Sequence, residues 1–397
     1  MSDAVVIVGA GLGGLRLAEH LRSKEFDGPV VLIGDEPHPP YDRPPLSKAA
    51  LTDGGDRPDL KPAEFYTDAQ IDLRTGTRVV AVDPAAHTVT TEHDGTTGEL
   101  SYGTLVLATG LVARAFPGEG GDLSGVHVIR SVDQAQALRR DLDGASRAVV
   151  IGAGFIGCEA AASLRTLGIE VALIEPEPVP LAAALGAQIG ERVTRLHTEA
   201  GVDLRTGVTV SRITGENGRV TGVELSDGAH LAADVVVVGI GGYPELGYLD
   251  GSGIELADRA TGGGIACDDL GRTSAPDVYA VGDAANWADA DGNRHRAEHW
   301  NHTVDQAVIV AAQILGQDRP PASVPYFWSD QYDLKIQMLG RPAAGDEVHL
   351  VDDDGRKFLA YYSRDGVLTA VVGAGRVGKL MKTRAHLMKP TPITDLL

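Results

Sequence analysis

Apolar and polar positions fall into two recurring registers along the chain. Short β-branched runs, AVVIVG at 4–9, PVVLIG at 29–34, TLVLATG at 104–110, RAVVIG at 147–152 and IEVALIE at 169–175, predict buried parallel strands. Two of them run into segments of helical period, LGGLRLAEHLRS and FIGCEAAASLRTLG. In the first of these helices the spacing points Leu12, Leu15, Ala18 and Leu21 inward. TSAPDVYAVGDAAN at 273–286 is a further buried strand, ending at Gly282 and Asp283. After the polar, proline-rich GQDRPPASVP at 316–325, the pattern shifts to short β-like runs, KIQMLG, EVHLVD, KFLAYYS and VLTAVV, followed by a helix.

Glycines in the spacing GxGxxG occur three times, at Gly9, Gly11 and Gly14, at Gly152, Gly154 and Gly157, and at Gly373, Gly375 and Gly378. The motif binds a dinucleotide only where a strand leads in, a helix starts on the glycines, and a second parallel strand ends in an acid for the ribose hydroxyls. The first match meets these conditions, with Asp35 and Glu36 ending the second strand. Gly9 makes the turn, Gly11 admits pyrophosphate, and Gly14 lets helix pack on strand. The second match also meets them and ends in Glu175. No Arg or Lys lies between Thr166 and Glu191, so a 2′-phosphate would face Glu175 and Glu177 without a cation, and NADH is expected over NADPH. The third match has only 19 residues after Gly378, too few for a helix and a paired strand, and KPTP interrupts them. It reads as a glycine-rich turn between a strand and a helix. Two dinucleotides are expected, not three.

The chain has 397 residues, enough for two or three domains. Its net charge of −20 argues against nucleic acid or an anionic membrane as partner. Two distant cysteines, Cys158 and Cys267, supply neither a disulfide framework nor a CxxC redox pair, and no metal site is indicated. An acid stands where a secretory signal would be basic, and no apolar run reaches membrane-spanning length, so a reducing cytoplasm is the expected compartment.

The segments PYDRPPLSK at 40–48, ATG at 108–110, GFIGCE at 154–159, VYAVGD at 278–283 and PYFWSDQYDLKIQMLG at 325–340 closely resemble the flavoprotein ferredoxin reductases of the putidaredoxin reductase and biphenyl dioxygenase reductase kind. The resemblance spans nearly the whole chain; PPLSK and WSDQ are its specific parts. It implies an α/β fold of two Rossmann-like, glutathione-reductase-like dinucleotide domains with a C-terminal α+β interface or dimerisation-like domain. The expected division is 1–110 with 240–316 for FAD, 111–239 for NADH, and 317–397 for the C-terminal domain.

On the FAD side the resemblance implies Gly13, Asp35, Lys48, Val80, Arg130, Asp283 and Trp300, beside Ala108, Thr109, Gly110 and Gly282. Asp283 would accept from the ribityl chain, and Val80 would offer backbone to the adenine. Arg43 is either a pyrophosphate contact or a surface arginine. Ile156, Glu159, Gly239, Ile240 and Gly241 are candidates on the NADH side. Lys48 is expected to pair with Glu159 and to stabilise negative charge on the flavin as it takes up hydride; the plainer alternative is an ordinary salt bridge. The prolines before Lys48 stiffen its loop, and Ser47 is placed to start a helix. Trp328 lies either between flavin and docking face or in a domain interface. His302 stands where such reductases commonly carry Asn.

The implied activity is hydride transfer from NADH to FAD, then single electrons to a [2Fe–2S] ferredoxin feeding a cytochrome P450 or Rieske oxygenase. From Asp365 to Asp395 there is no acid, while Arg376, Lys379, Lys382, Arg384 and Lys389 all fall within, a basic face for such a partner or simply a solvated helix. A rubredoxin reductase, an NADH oxidase and an apoptosis-inducing-factor-like flavoprotein remain as alternatives.

Overall fold

The structure, a computed structural model, describes residues 4–54, 57–289 and 292–397. The backbone divides into two compact units, each assembled from three stretches. Unit 1 comprises Met1–Asp42, Pro58–Val112 and Tyr243–Ser323; unit 2 comprises Arg43–Arg57, Ala113–Gly242 and Val324–Leu397.

The core of unit 1 is a five-stranded sheet in the order Val278–Ala280, Thr104–Leu107, Val5–Val8, Val30–Ile33, Ile71–Arg74, with every neighbouring pair parallel. All four residues of the strands Val5–Val8 and Val30–Ile33 are buried, as expected of a sheet covered on both faces. The helix Leu12–Ser23 covers one face. It buries Leu15, Leu17, Ala18 and Leu21, while Leu12 is only half-buried. The extra burial of Leu17 follows from a second neighbour, the helix Trp300–Ile314, which lies against the same helix. A three-stranded antiparallel meander, Arg78–Asp83, Thr88–His93 and Thr96–Ser101, is appended to this unit.

Unit 2 repeats the plan. Its parallel sheet runs Asp203–Thr206, Glu170–Glu175, Arg147–Ile151, Val235–Val238, Val126–Val128. As in unit 1, the strand that enters the glycine motif is central and the acid-terminated strand lies beside it. The helix Phe155–Thr166 starts within the motif and is buried on all sides from Gly157 to Leu164, mostly through small residues (Gly, Cys, Ala, Ser).

Unit 2 also carries a five-stranded antiparallel sheet ordered Tyr326–Gln331, Leu334–Gly340, Val367–Ala374, Phe358–Arg364, Glu347–Asp353. Here the third glycine motif finds its explanation. The strand Val367–Ala374 that leads into it is antiparallel to both neighbours, and the helix after it spans only Val377–Lys382 before tightening into a 3-10 turn, Thr383–Met388. Among the described residues no parallel strand lies beside it to present a ribose-binding acid, so it is a turn between a strand and a helix, as expected. Among the described residues no helix is long and apolar enough to cross a membrane.

Candidate functional site

Both full glycine motifs are built by the same two close approaches. In unit 1, Gly9 has φ +117°, and a Cβ there would lie 2.2 Å from the Ala108 carbonyl oxygen; a Cβ on Gly14 would lie 2.1 Å from the Gly9 oxygen. In unit 2, Gly152 has φ +95° and its Cβ would meet the Gly239 oxygen at 2.5 Å, while one on Gly157 would meet the Gly152 oxygen at 1.9 Å. The middle glycines differ: a Cβ on Gly11 or Gly154 would meet no protein atom within 4 Å. Packing therefore explains the outer glycines and leaves the middle ones to a ligand that must come close to the backbone.

The helices that start at these turns carry no side-chain cap and no acid in the first turn. Uncapped N–H groups at the positive end of a helix dipole are the ordinary requirement for a pyrophosphate. The residues present fit the two dinucleotides. Ile156, on the first turn of the second helix, is 43% exposed although apolar, and Gly13 packs toward Thr303 and Val281.

The acids after the second strands behave differently in the two units. Glu175 is buried, and its carboxylate accepts the N–H of Ala153 at 2.6 Å and of Glu177 at 3.0 Å. The Ala153 carbonyl in turn accepts the N–H of Leu181, a residue held at φ +57°. Both sides of the second glycine turn are thereby tied to the segment after Glu175. Asp35 is exposed and pairs loosely with Arg78 at 3.7 Å, whereas Glu36 is half-buried and accepts from Tyr41 at 2.5 Å.

Around the first turn, Ala108, Thr109 and Gly110 follow the strand Thr104–Leu107; Gly110 has φ +69° and Thr109 Oγ1 lies 3.3 Å from the Tyr248 hydroxyl. Gly282 donates its N–H to Gln306 Oε1 at 2.7 Å, and Arg296 donates to the Asp283 carbonyl at 3.0 Å, fixing the backbone on both sides of the Asp283 side chain. The Gln306 amide then reaches His302 Nε2 at 3.1 Å, so the histidine is drawn into the same support. Trp300 donates to Asp42 at 2.9 Å and lies under the Arg16 guanidinium. Val80 is the residue skipped in the register between Val79 and Ala81, a bulge that takes its backbone out of regular pairing. Gly239, Ile240 and Gly241 follow the strand Val235–Val238 beside the second turn; the Gly241 carbonyl accepts the N–H of Arg114.

Unit 2 gathers the charged pair. Lys48 Nζ donates to Glu159 Oε2 at 2.8 Å and to the Pro44 carbonyl at 3.0 Å. Ser47 does not cap a helix: it ends a 3-10 turn, is buried, and donates its hydroxyl to Glu159 Oε2 at 2.6 Å. Its one hydroxyl proton thus goes to the buried carboxylate in a charge-assisted bond. Ser329 donates to the other oxygen, Oε1, at 2.7 Å. The spacing of 111 to 170 residues between these partners hides the serines from any local pattern in the sequence. Arg43 donates to the Arg130 carbonyl, which brings those two candidates together.

Trp328 occupies the strand face opposite Ser329. Its ring stacks on Tyr326 with centroids 6.0 Å apart, and Lys335 Nζ sits 5.7 Å from its centroid. Cys158 and Cys267 are free and buried; burial pushes the Cys158 thiol well up, with Glu159 and Glu175 adding to it, and pushes Cys267 up to about 12. Burial of both thus disfavours the thiolate that disulfide chemistry needs.

The basic face is smaller than the sequence suggests. Arg376 forks onto Asp352 and Asp354 from the neighbouring hairpin, and Lys379 also pairs with Asp352. Lys382, Arg384 and Lys389 are exposed and, among the described residues, form no salt bridge.

Residues 3–307 match the family of pyridine nucleotide-disulphide oxidoreductases, and residues 326–395 match the reductase C-terminal family. The chain is 39% identical over 373 residues to a ferredoxin–NAD(P)(+) reductase of Sphingomonas sp, covering 92% of this chain and 88% of that one. It is 40% identical to the rhodocoxin reductase of Rhodococcus erythropolis, covering 88% and 80%. Among solved structures, the ferredoxin reductase for the CYP199A2 system of Rhodopseudomonas palustris superposes with a TM-score of 0.92 at 36% identity, over 98% of this chain and 96% of that one. The covalent putidaredoxin reductase–putidaredoxin complex superposes at 0.91 with 31% identity, over 98% and 94%. With both cradles, the C-terminal segment and near full-length relatives in agreement, this chain belongs to the pyridine nucleotide-disulphide oxidoreductase family, in its ferredoxin reductase branch.

Proposed function

We propose that this chain is an NADH-dependent ferredoxin reductase. The observation that carries the reading is that one chain builds the same nucleotide cradle twice, each with its middle glycine left open. FAD, when bound, takes a hydride from a nicotinamide and passes electrons on one at a time. The protein's part is to bind, orient and set charge. Gly9, Gly11 and Gly14 with Asp35 or Glu36 hold FAD in the first cradle, supported by Asp283, Trp300 and the bulged backbone at Val80. Gly152, Gly154, Gly157 and Glu175 hold NADH in the second. The functional domains proposed are 1–110 with 240–316, 111–239 and 317–397.

Lys48 supplies a fixed cation for the negative charge that develops during reduction, and Glu159 holds that cation in place. Trp328 is proposed to act in electron transfer. The partner is an acidic [2Fe–2S] ferredoxin serving a cytochrome P450 or Rieske oxygenase, docking on the region of Arg376, Lys379, Lys382 and Arg384. Relatives named as reductase components of oxygenase systems, and the solved reductase–putidaredoxin complex, support that choice.

The test mixes FAD-loaded protein with NADH and cytochrome c, with and without a [2Fe–2S] ferredoxin. Ferredoxin is expected to accelerate cytochrome c reduction at least tenfold. Rapid oxygen consumption without any acceptor protein would instead indicate an NADH oxidase.

A further inference from the structure

The Glu159 carboxylate is the end of a buried polar chain that reaches well beyond Lys48. Behind Ser329, the Gln331 amide nitrogen donates to the Ser329 hydroxyl at 3.3 Å. Gln331 Oε1 lies 3.2 Å from His197 Nε2, and His197 Nδ1 lies 2.9 Å from the Tyr332 hydroxyl. Glu159 is 3% exposed, and His197, Ser329 and Gln331 are fully buried.

Ser329 and Gln331 are two apart on the strand Tyr326–Gln331, so they share the face that packs on the helix Phe155–Thr166. Apolar residues would fill that face at less cost, because buried polar groups are tolerated only when satisfied. These are satisfied, and in one direction. A carboxylate can only accept, so Ser329 must donate to it. Gln331 must then turn its N–H toward Ser329 and its oxygen toward His197. His197 therefore donates from Nε2 and accepts at Nδ1 from Tyr332. Every donor points down the chain toward Glu159, and aligned hydrogen bonds polarise one another toward the anion at their end.

We infer that Ser329, backed by Gln331 and His197, is a positioning residue for the Lys48–Glu159 pair. It fixes the rotamer of Glu159, and through it the position of the Lys48 ammonium. The C-terminal strand thus sets an electrostatic element that the N-terminal half of the chain supplies. This inference rests on the reading that the pair serves the bound flavin.

The experiment uses FAD-loaded protein carrying Ser329→Ala, Ser329→Thr, Gln331→Leu, Glu159→Gln or Lys48→Met. Two quantities are read. One is the rate at which trace acetic anhydride acetylates Lys48, followed by mass spectrometry against exposed Lys382. The other is kcat and KM for NADH with ferricyanide as acceptor. Ser329→Ala is expected to raise Lys48 acetylation severalfold and to lower kcat about tenfold, with KM for NADH unchanged. Ser329→Thr, which keeps the hydroxyl, is expected to restore both. Should Ser329→Ala fail to fold, Gln331→Leu cuts the chain one link farther out and is expected to give the same changes in smaller measure. The inference is overturned if the Ser329 and Gln331 variants match wild type in both quantities while Glu159→Gln alters them. If Glu159→Gln and Lys48→Met are themselves silent in kcat, it is the reading of the pair that is overturned.

Discussion

The Glu175 carboxylate holds the peptide N–H of Ala153 at 2.6 Å, so the acid at the end of one strand fixes the glycine turn at the end of the next. The acid proposed for the ribose hydroxyls is thus already oriented by the loop that carries the phosphates, with no cation from Thr166 to Glu191 to welcome a 2′-phosphate. Glu175→Ala is expected to raise KM for NADH about tenfold or more, the worth of a hydrogen bond to a charged group. It should also narrow the preference over NADPH. Steady-state kinetics with both nucleotides checks this, and an unchanged preference would remove Glu175 from the selecting role.

The middle and last glycines of each motif are predicted to fail in different ways. Gly154 has φ −71°, and its Cβ would enter open space, so Gly154→Ala should melt like wild type yet lose NADH affinity about tenfold or more. Gly157→Ala places a Cβ 1.9 Å from a backbone oxygen and should be strongly destabilised. Gly11→Ala should lower retained FAD with little change in folding. Thermal melts, flavin content and NADH titration separate the three outcomes.

Breaking the Lys48–Glu159 pair should cost more from one side than from the other. Lys48→Met leaves a nearly buried carboxylate with only two hydroxyls, and is expected to lose about 2 kcal/mol. Glu159→Gln leaves a lysine that is partly exposed and still bonded to the Pro44 carbonyl, so it should lose less. Denaturant melts of the FAD-loaded variants under identical conditions make the comparison; equal losses would contradict it.

His197 makes stability depend on pH. Burial lowers its folded pKa from 6.5 to about 4, against which the Gln331 hydrogen bond only partly acts. Below pH 6.5 the unfolded chain binds a proton that the folded chain refuses, so stability falls as pH drops from 6.5 toward 4, by about 3 kcal/mol in total. Above pH 6.5 the group has no effect. The melting temperature of His197→Asn is expected to vary less steeply across that window than wild type, though lying lower at neutral pH.

If the partner is an acidic ferredoxin, the cations of the C-terminal segment should not contribute equally. Arg376 and Lys379 are already matched by Asp352 and Asp354, whereas Lys382 and Arg384 are exposed without an ion pair among the described residues. Lys382→Glu with Arg384→Glu is expected to raise KM for a [2Fe–2S] ferredoxin about tenfold at low salt and to flatten its salt dependence. Arg376→Ala should mainly reduce stability. Ferredoxin titrations at two ionic strengths distinguish these.

What could be read from the sequence was whatever depends on neighbours in the chain. The two cradles announce themselves because strand, glycines, helix and acid fall within one unit, and the third motif is exposed by the KPTP that interrupts the segment after it. The Lys48–Glu159 pair was legible through family resemblance. Ser329 and Gln331 were not, because a polar residue alternating on a strand looks the same whether it faces water or a buried carboxylate. Nor was the pairing of Arg376 with Asp352 and Asp354, since charge excess counted along one segment misses acids brought in by the next hairpin. Leu17 shows the same limit: a helix packed between a sheet and another helix buries more than one stripe.

The weaving of the chain between its units bears on the order in which they can be made. In unit 1, the strand Val278–Ala280 closes one edge of the sheet, although the strand it pairs with ends at Leu107. The parallel sheet of unit 2 needs nothing outside Val126–Val238. A ribosome working from the N-terminus therefore releases every strand of the second sheet before the first can be completed. The cradle that starts at residue 5 is the later of the two to close, and its unfinished edge must wait through the synthesis of an entire domain.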